Sequence, residues 1–279
     1  MEQPEQRAEG AGPFTTRLTW HLPGGGTAVW ESRVARRRGI LVVRSPGAAA
    51  SGRTRADAVA LGRLRRLNVI AAIAFVVGGA LFAAGAAVAQ FGSGNATESA
   101  SIYFVGGLFF NTGGYVSLLQ VVNAPRYAGG EGRLVTRRWR WWSYEPMRVD
   151  WLSAFVLFAG TLVFAVSLLD SFLRGLSVQR VNRLIWAPDV VGCVLFLVSG
   201  HLGLVEICHG RPCVRPRSLS WWIVAVNQLG SFLFMVAALA AFTRPATGSM
   251  VNADIANWGT LTGALCFSLA GLIQLYEHP

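Results

Sequence analysis

Lysine is absent from the chain, and so are most of the charges that a water-soluble surface requires. All 25 basic residues are arginine, only 14 residues are acidic, and charged residues make up 14% of the total. Soluble proteins carry about a quarter charged residues, so an ordinary soluble domain is excluded. A hydrophobic content of 53% likewise excludes disorder and collagen-like chains. Four cysteines are too few for a disulfide-stapled secreted scaffold. Also missing are a Walker loop, an HExxH pair, a nucleophile elbow and a dinucleotide fingerprint, so no enzyme class is indicated.

What is present is long apolar runs. Crossing about 30 Å of hydrocarbon takes roughly 20 apolar residues in a helix, and six runs qualify: 67–90, 101–123, 151–173, 187–208, 221–243 and 252–275. They predict an all-α polytopic membrane protein. Residues 1–66 form an Arg-rich N-terminal segment and residues 67–277 a six-helix transmembrane domain. No apolar stretch with a small-residue cleavage site precedes the first run, so a signal peptide is not expected. Arginine placement orients the spans, because basic loops stay in the cytoplasm. The N-terminal segment holds 12 arginines, the loop after the second run six and the loop after the fourth three, whereas the opposite side holds only Arg174, Arg180, Arg183 and Arg244. Both termini are therefore expected in the cytoplasm, in a bacterial plasma membrane.

Each run contains glycine, then phenylalanine four residues on, then a small residue three further on. The sets are Gly78/Phe82/Gly85, Gly106/Phe110/Gly113, Gly160/Phe164/Ser167, Gly192/Phe196/Ser199, Gly230/Phe234/Ala237 and Gly263/Phe267/Ala270. At helical spacing the three share one face. Membrane helices associate by close packing, so the pattern predicts rings seated in the notches left by a neighbour's glycine. Ten residues after the phenylalanine, the even runs carry Gln120, Glu206 and Glu277, and the odd runs Gly92, Arg174 and Arg244. A two-helix hairpin, present three times, is the implied repeat unit. The stretch GGLFFNTGGYVSLLQ (Gly106 to Gln120) resembles the small bacterial YrhK-type membrane domain. The segments from Trp221 and from Asn257 resemble actinobacterial six-span proteins of unassigned function. The resemblance implies a fold and carries no functional residues over.

Polar groups within the spans are costly and mark candidate sites. Toward the basic end lie His201, Glu206, Asn227, Gln228, Gln120 and Glu277, together with Asn123 and Gln274, while Asp170, Asp189, Asp254 and Asn257 lie toward the other. The first group is expected to line a cytoplasm-facing ligand or ion path, with pairing of Glu206 and Glu277 to loop arginines as the competing explanation. An interhelical bond to Asn227 or Gln228 would satisfy His201. Glu206, Cys208, His209 and Cys213 have metal-binding chemistry, but too few further ligands are at hand, so neither metal nor cofactor is expected. A cytosolic loop implies reduced thiols at Cys208 and Cys213, and Cys193 and Cys266 read as small core residues.

Outside the spans, 17–22 and 27–32 alternate apolar and polar residues around Pro23 and Gly24, as in a β-hairpin, followed by a linker at 45–56. Arg137 to Tyr144 (RRWRWWSY) joins two spans. At that position arginine and tryptophan fit anionic headgroups and not nucleic acid. The expected function is binding or transport of a small molecule, ion or lipid, with homo-oligomerisation open. The alternatives are a scaffold acting through the N-terminal segment and a membrane enzyme using His201 and Glu206.

Overall fold

The computed structural model describes residues 6–11, 13–22, 25–44, 52–92, 96–128, 133–135 and 138–277. Pro23 and Gly24 of the expected turn, 45–51 of the linker, Arg137 and His278 lie outside them, as do the side chains of Arg126 and Arg133.

The N-terminal module comprises β1 (Gln6–Ala11), β2 (Phe14–His21), β3 (Thr27–Glu31), α1 (Ser32–Arg38), β4 (Ile40–Arg44) and β5 (Gly52–Arg55). Its strands form one antiparallel sheet in chain order. The expected hairpin is β2–β3, with Leu18 opposite Trp30 and Trp20 opposite Ala28. That register places Trp20, Ala28 and Trp30 in one buried cluster with Ala35 and Leu41. A lone hairpin is marginal in water, and here it is extended to five strands. The linker expectation is corrected at its end, because 52–55 is β5 and pairs with β4 from Ile40 opposite Arg55 to Val43 opposite Gly52. Gly39 ends α1 with φ 60°, a left-handed conformation that glycine adopts without strain, and donates its N–H to the Ala35 carbonyl.

A 34-residue helix, α2 (Ala58–Phe91), starts where the Asp57 side chain accepts from the Ala60 amide at 2.6 Å. At 1.5 Å per residue it is about 51 Å long, well beyond the hydrocarbon thickness. The boundary expected at residue 66 therefore falls inside one continuous helix. Then come α3 (Ala96–Val122), a short hairpin of β6 (Arg126–Ala128) and β7 (Arg133–Val135), and α4 (Val149–Asp170). Next, α5 (Val178–Val181) leads through a π-helical turn at Asn182–Trp186 into α6 (Ala187–Cys208), followed by α7 (Leu219–Ala240) and α8 (Ala253–Leu275). Six of these helical segments are long and apolar enough to cross a membrane.

Each long helix packs chiefly on two others, closing a ring in the order α2, α3, α4, α6, α7, α8 and back to α2. The N-terminal module caps the end where α3, α6 and α8 finish. Thr15 donates its amide to the Met147 carbonyl at 3.0 Å, Arg148 lies over the Trp30 ring, and Leu134 enters the module's core. Part of the loop read as a lipid anchor thus belongs to this cap. Its residues Trp141, Trp142 and Tyr144 remain exposed.

Along the ring, glycine and phenylalanine interlock reciprocally between consecutive spans. A Cβ on Gly78 would meet the Phe110 ring at 2.6 Å, and one on Gly106 would meet the Phe82 ring at 3.0 Å. Gly160 faces Phe196 while Gly192 faces Phe164, and Gly263 faces Phe234 while Gly230 faces Phe267. The six rings meet on the axis in one network of centroid separations between 5.2 and 6.3 Å. Phe110, Phe196 and Phe267 face a cavity on the module side, while Phe82, Phe164 and Phe234 face a second one beyond.

Candidate functional site

Three arginines one helical turn apart decide what happens at the module end. Spacing of i, i+3 and i+4 puts Arg33, Arg36 and Arg37 on one face of α1, and all three are buried against the bundle. Arg36 donates from Nε at 3.3 Å and from Nη2 at 2.6 Å to the two oxygens of Glu206, a forked charge-assisted pair. Ser32 Oγ donates to the same carboxylate at 2.8 Å, and Arg33 Nη1 stands 3.7 Å from it. Arg33 Nη2 lies 3.7 Å, and Arg37 Nε 3.9 Å, from Glu277 Oε2. Arg37 also donates to Asn68 Oδ1, and Ser220 Oγ donates to Glu277 Oε1. Asn68 in turn donates to the carbonyls of Gln274 and Glu277 at 3.0 and 3.1 Å, which joins α2 to the end of α8. Nearby, Arg148 bridges Asp150 at 2.6 Å and Glu145 at 2.7 Å.

This network is neutral: Arg33, Arg36, Arg37 and Arg148 stand against Glu206, Glu277, Asp150 and Glu145. Burial works against the charge of Arg36, but Glu206 outweighs it and raises the guanidinium above its ordinary value. Burial, with Arg36 alongside, pulls Arg37 down to about 9, so it stays cationic at neutral pH. Burial pushes the Glu277 carboxyl up, yet Arg33 and Arg37 prevail and hold it below the usual glutamate range. These ion pairs fasten α1 across one end of the ring, and their charged groups are buried.

Under α1 is a small cavity of about 100 Å³, lined by the three arginines, Asn227, Ser199, Ser231 and the Phe110/Phe196/Phe267 tier. Glu206, Glu277 and Asn227 are thus brought to one place. Gln120 is buried between helices and donates to the Leu64 carbonyl at 3.4 Å. Gln228 packs between α7 and α6, donating to the Leu197 carbonyl at 3.4 Å. His201 is exposed on α6, and no hydrogen bond or ion pair reaches it among the described residues, so it does not join the path expected of it. His201 and Glu206 therefore form no acid–base pair. Asn123 holds the loop, exchanging hydrogen bonds with the Arg140 backbone at 2.7 and 2.8 Å.

Metal-type residues are dispersed by the same packing. Glu206 faces α1, and His209, in a left-handed conformation at the end of α6, shares a 3.0 Å hydrogen bond with Thr16 of β2. Cys208 and Cys213, expected as thiols, form a disulfide with Cα atoms 5.6 Å apart, a spacing that suits the bond. Their turn folds back at His209 and Gly210, both with positive φ, and so brings the two side chains together. Among the described residues no three His, Cys, Asp or Glu side chains gather as a metal site.

Beyond the phenylalanine tiers, the second cavity is far larger, about 640 Å³. Its walls are Phe82, Phe164, Phe234 and Tyr103 with aliphatic and small residues, and Asp189 among them. The arginines of α1 and Asp189 are the residues that sequence reasoning passed over as site components. The 33/36/37 spacing was the available signal, given Glu206 inside a span and Glu277 just past one, with no arginine in any span. Comparison with protein-family models, with curated proteins and with solved structures finds no match for this chain.

Proposed function

We propose that this protein binds a small molecule inside the membrane and conducts it along the axis of the helix ring, with the N-terminal module as the stopper of one mouth. The observation that carries the reading is the axial arrangement: a chamber of about 640 Å³ and a smaller cavity of about 100 Å³ share the ring, with the phenylalanine tiers between them. The larger cavity opens at the end of the ring away from the module, where its lining residues Met250 and Ala253 are exposed, so it has a mouth as well as a volume. Small-molecule pockets span roughly 300–1,000 Å³. On this reading the module faces the cytoplasm, in line with the arginine bias and against the usual reduction of cysteines there, since Cys208 and Cys213 are bonded, and exposed Trp141 and Trp142 beside Arg138 and Arg140 rest on anionic headgroups. The three reciprocal Gly/Phe pairs support descent from a triplicated hairpin. A homo-oligomer would leave this path within each protomer, as the ring is closed by one chain.

Proteoliposomes test it. Uptake of a panel of radiolabelled neutral, anionic and cationic solutes should exceed that of protein-free vesicles for at least one. Removing one tier, by Phe82→Ala with Phe164→Ala and Phe234→Ala, should raise leakage. A panel with no uptake, together with a triple variant as tight as the parent, overturns the reading.

A further inference from the structure

The large chamber has a chemical preference written in its wall. Its serine, threonine and asparagine side chains already have protein partners: Ser99 Oγ donates to the Gly85 carbonyl at 2.9 Å, Ser167 Oγ to Phe164 at 2.8 Å and Ser171 Oγ to Leu168 at 2.6 Å. Thr260 Oγ1 donates to the Ala256 carbonyl at 2.8 Å, and the Asn257 amide to Gln90 Oε1 at 2.9 Å. Asp189 differs. No hydrogen bond or ion pair reaches its carboxylate among the described residues, and no arginine or histidine lines the chamber. It sits on the first turn of α6, just after Pro188, with Cys193 one turn further on in the same wall.

A carboxylate in an apolar membrane cavity is costly unless something positive answers it. Among the described residues nothing does, and Asp189 is half-buried at the wall of this open cavity. Part of the wall is aromatic: Phe82, Phe164 and Phe234 form the floor, and Tyr103 stands 5.5 Å from Phe82, ring to ring. Ring faces attract cations, more strongly where water is excluded. One anionic group on a wall of aromatic, aliphatic and internally bonded polar side chains complements a ligand that is apolar over most of its surface and carries a single positive charge. An anion would meet Asp189 with repulsion, and a neutral ligand would leave it unanswered. We propose that this chamber is a binding site for an aromatic or otherwise hydrophobic organic cation, seated with its charge on Asp189 and its apolar body on the phenylalanine floor. This deepens the transport reading and rests on it, naming the class of molecule that the path carries.

The probe is N-methyl-4-phenylpyridinium, an aromatic cation, with 4-methylbiphenyl as its neutral isostere and biphenyl-4-carboxylate as an anionic counterpart. Equilibrium dialysis against the full chain in detergent should give saturable binding of the cation at one site per protomer. Asp189→Asn should weaken it at least tenfold, Asp189→Glu should restore it to within a few-fold, and neither competitor should displace it. Equal displacement by the isostere, or unchanged affinity in Asp189→Asn, overturns the proposal. If that variant does not fold, an azido derivative of the probe decides on the parent chain: labelling of the peptides bearing Tyr103 or Asp189 supports the site, and labelling confined to the outer faces of the helices overturns it. Saturable binding without uptake in proteoliposomes overturns the transport reading and leaves the site. Uptake of the cation that Asp189→Asn does not alter overturns the site and leaves the transport reading.

Discussion

Replacing Glu206 by glutamine should release the stopper, and the size of the effect follows from its surroundings. The Glu206 side chain is fully buried and accepts from Arg36 twice and from Ser32 once. Glutamine keeps one acceptor, puts a donor against the Arg36 fork and removes the charge that offsets Arg33 and Arg36. Breaking a buried pair on one side costs about 3–5 kcal/mol, because the partner left behind is a desolvated, unanswered charge. At about 1.36 kcal/mol per factor of ten, the module should lift away roughly 10²–10⁴ times more often. The reporter is the Thr15 amide, which bonds across to Met147 and is freed when the module lifts. Its hydrogen exchange in detergent should accelerate by that factor. The double variant Glu206→Met with Arg36→Met removes both charges and keeps apolar volume, so it should recover much of the lost protection. Exchange within threefold of the parent in Glu206→Gln would refute this fastening, and so would additive losses in the double variant.

Other consequences are equally open to measurement. Gly263→Ala places a Cβ 2.5 Å from the Phe234 ring and 3.0 Å from the Gly230 carbonyl; it should cost about 1–3 kcal/mol and lower the thermal midpoint in detergent. Gly62→Ala meets nothing within 4 Å, so removing a helical glycine there should be neutral or stabilise by up to about 1 kcal/mol. Burial holds His209 below its ordinary value, so the folded chain binds fewer protons there than the unfolded chain. Its contribution is therefore complete above about pH 6.5 and fades as pH falls toward and through the lowered value; the Thr15 protection factor, in which the intrinsic pH dependence of amide exchange cancels, should fall from pH 7.5 to 5.5, and less so in His209→Gln. Alkylation without prior reduction should spare Cys208 and Cys213 in purified protein, and mass spectrometry finding both modified would exclude the disulfide.

What the sequence disclosed and what it hid differ in their range along the chain. The spans, the glycine notches and the β2–β3 hairpin are local patterns, so periodicity of about 3.6 or 2 residues was enough to find them. Even the face carrying Phe82 or Phe267 was legible, since a helix fixes which residues share a side. The partner of Glu206 was not, because it lies 170 residues earlier, on a seven-residue helix whose arginines had been counted only as topology signals. Charge bias tells which side of a membrane a loop occupies, and it is silent on whether the loop folds back into the bundle. His201 failed for a related reason: polarity within a span was taken to mean inward orientation, whereas α6 turns Glu206 inward and His201 outward. These residues are five apart, about 500° of helical rotation and so some 140° away from each other's face. Only one of them can meet the axis, and the ion pairs with α1 decide that it is Glu206. Those pairs thereby also fix the rotation of α6, and with it the wall on which Asp189 faces the large chamber.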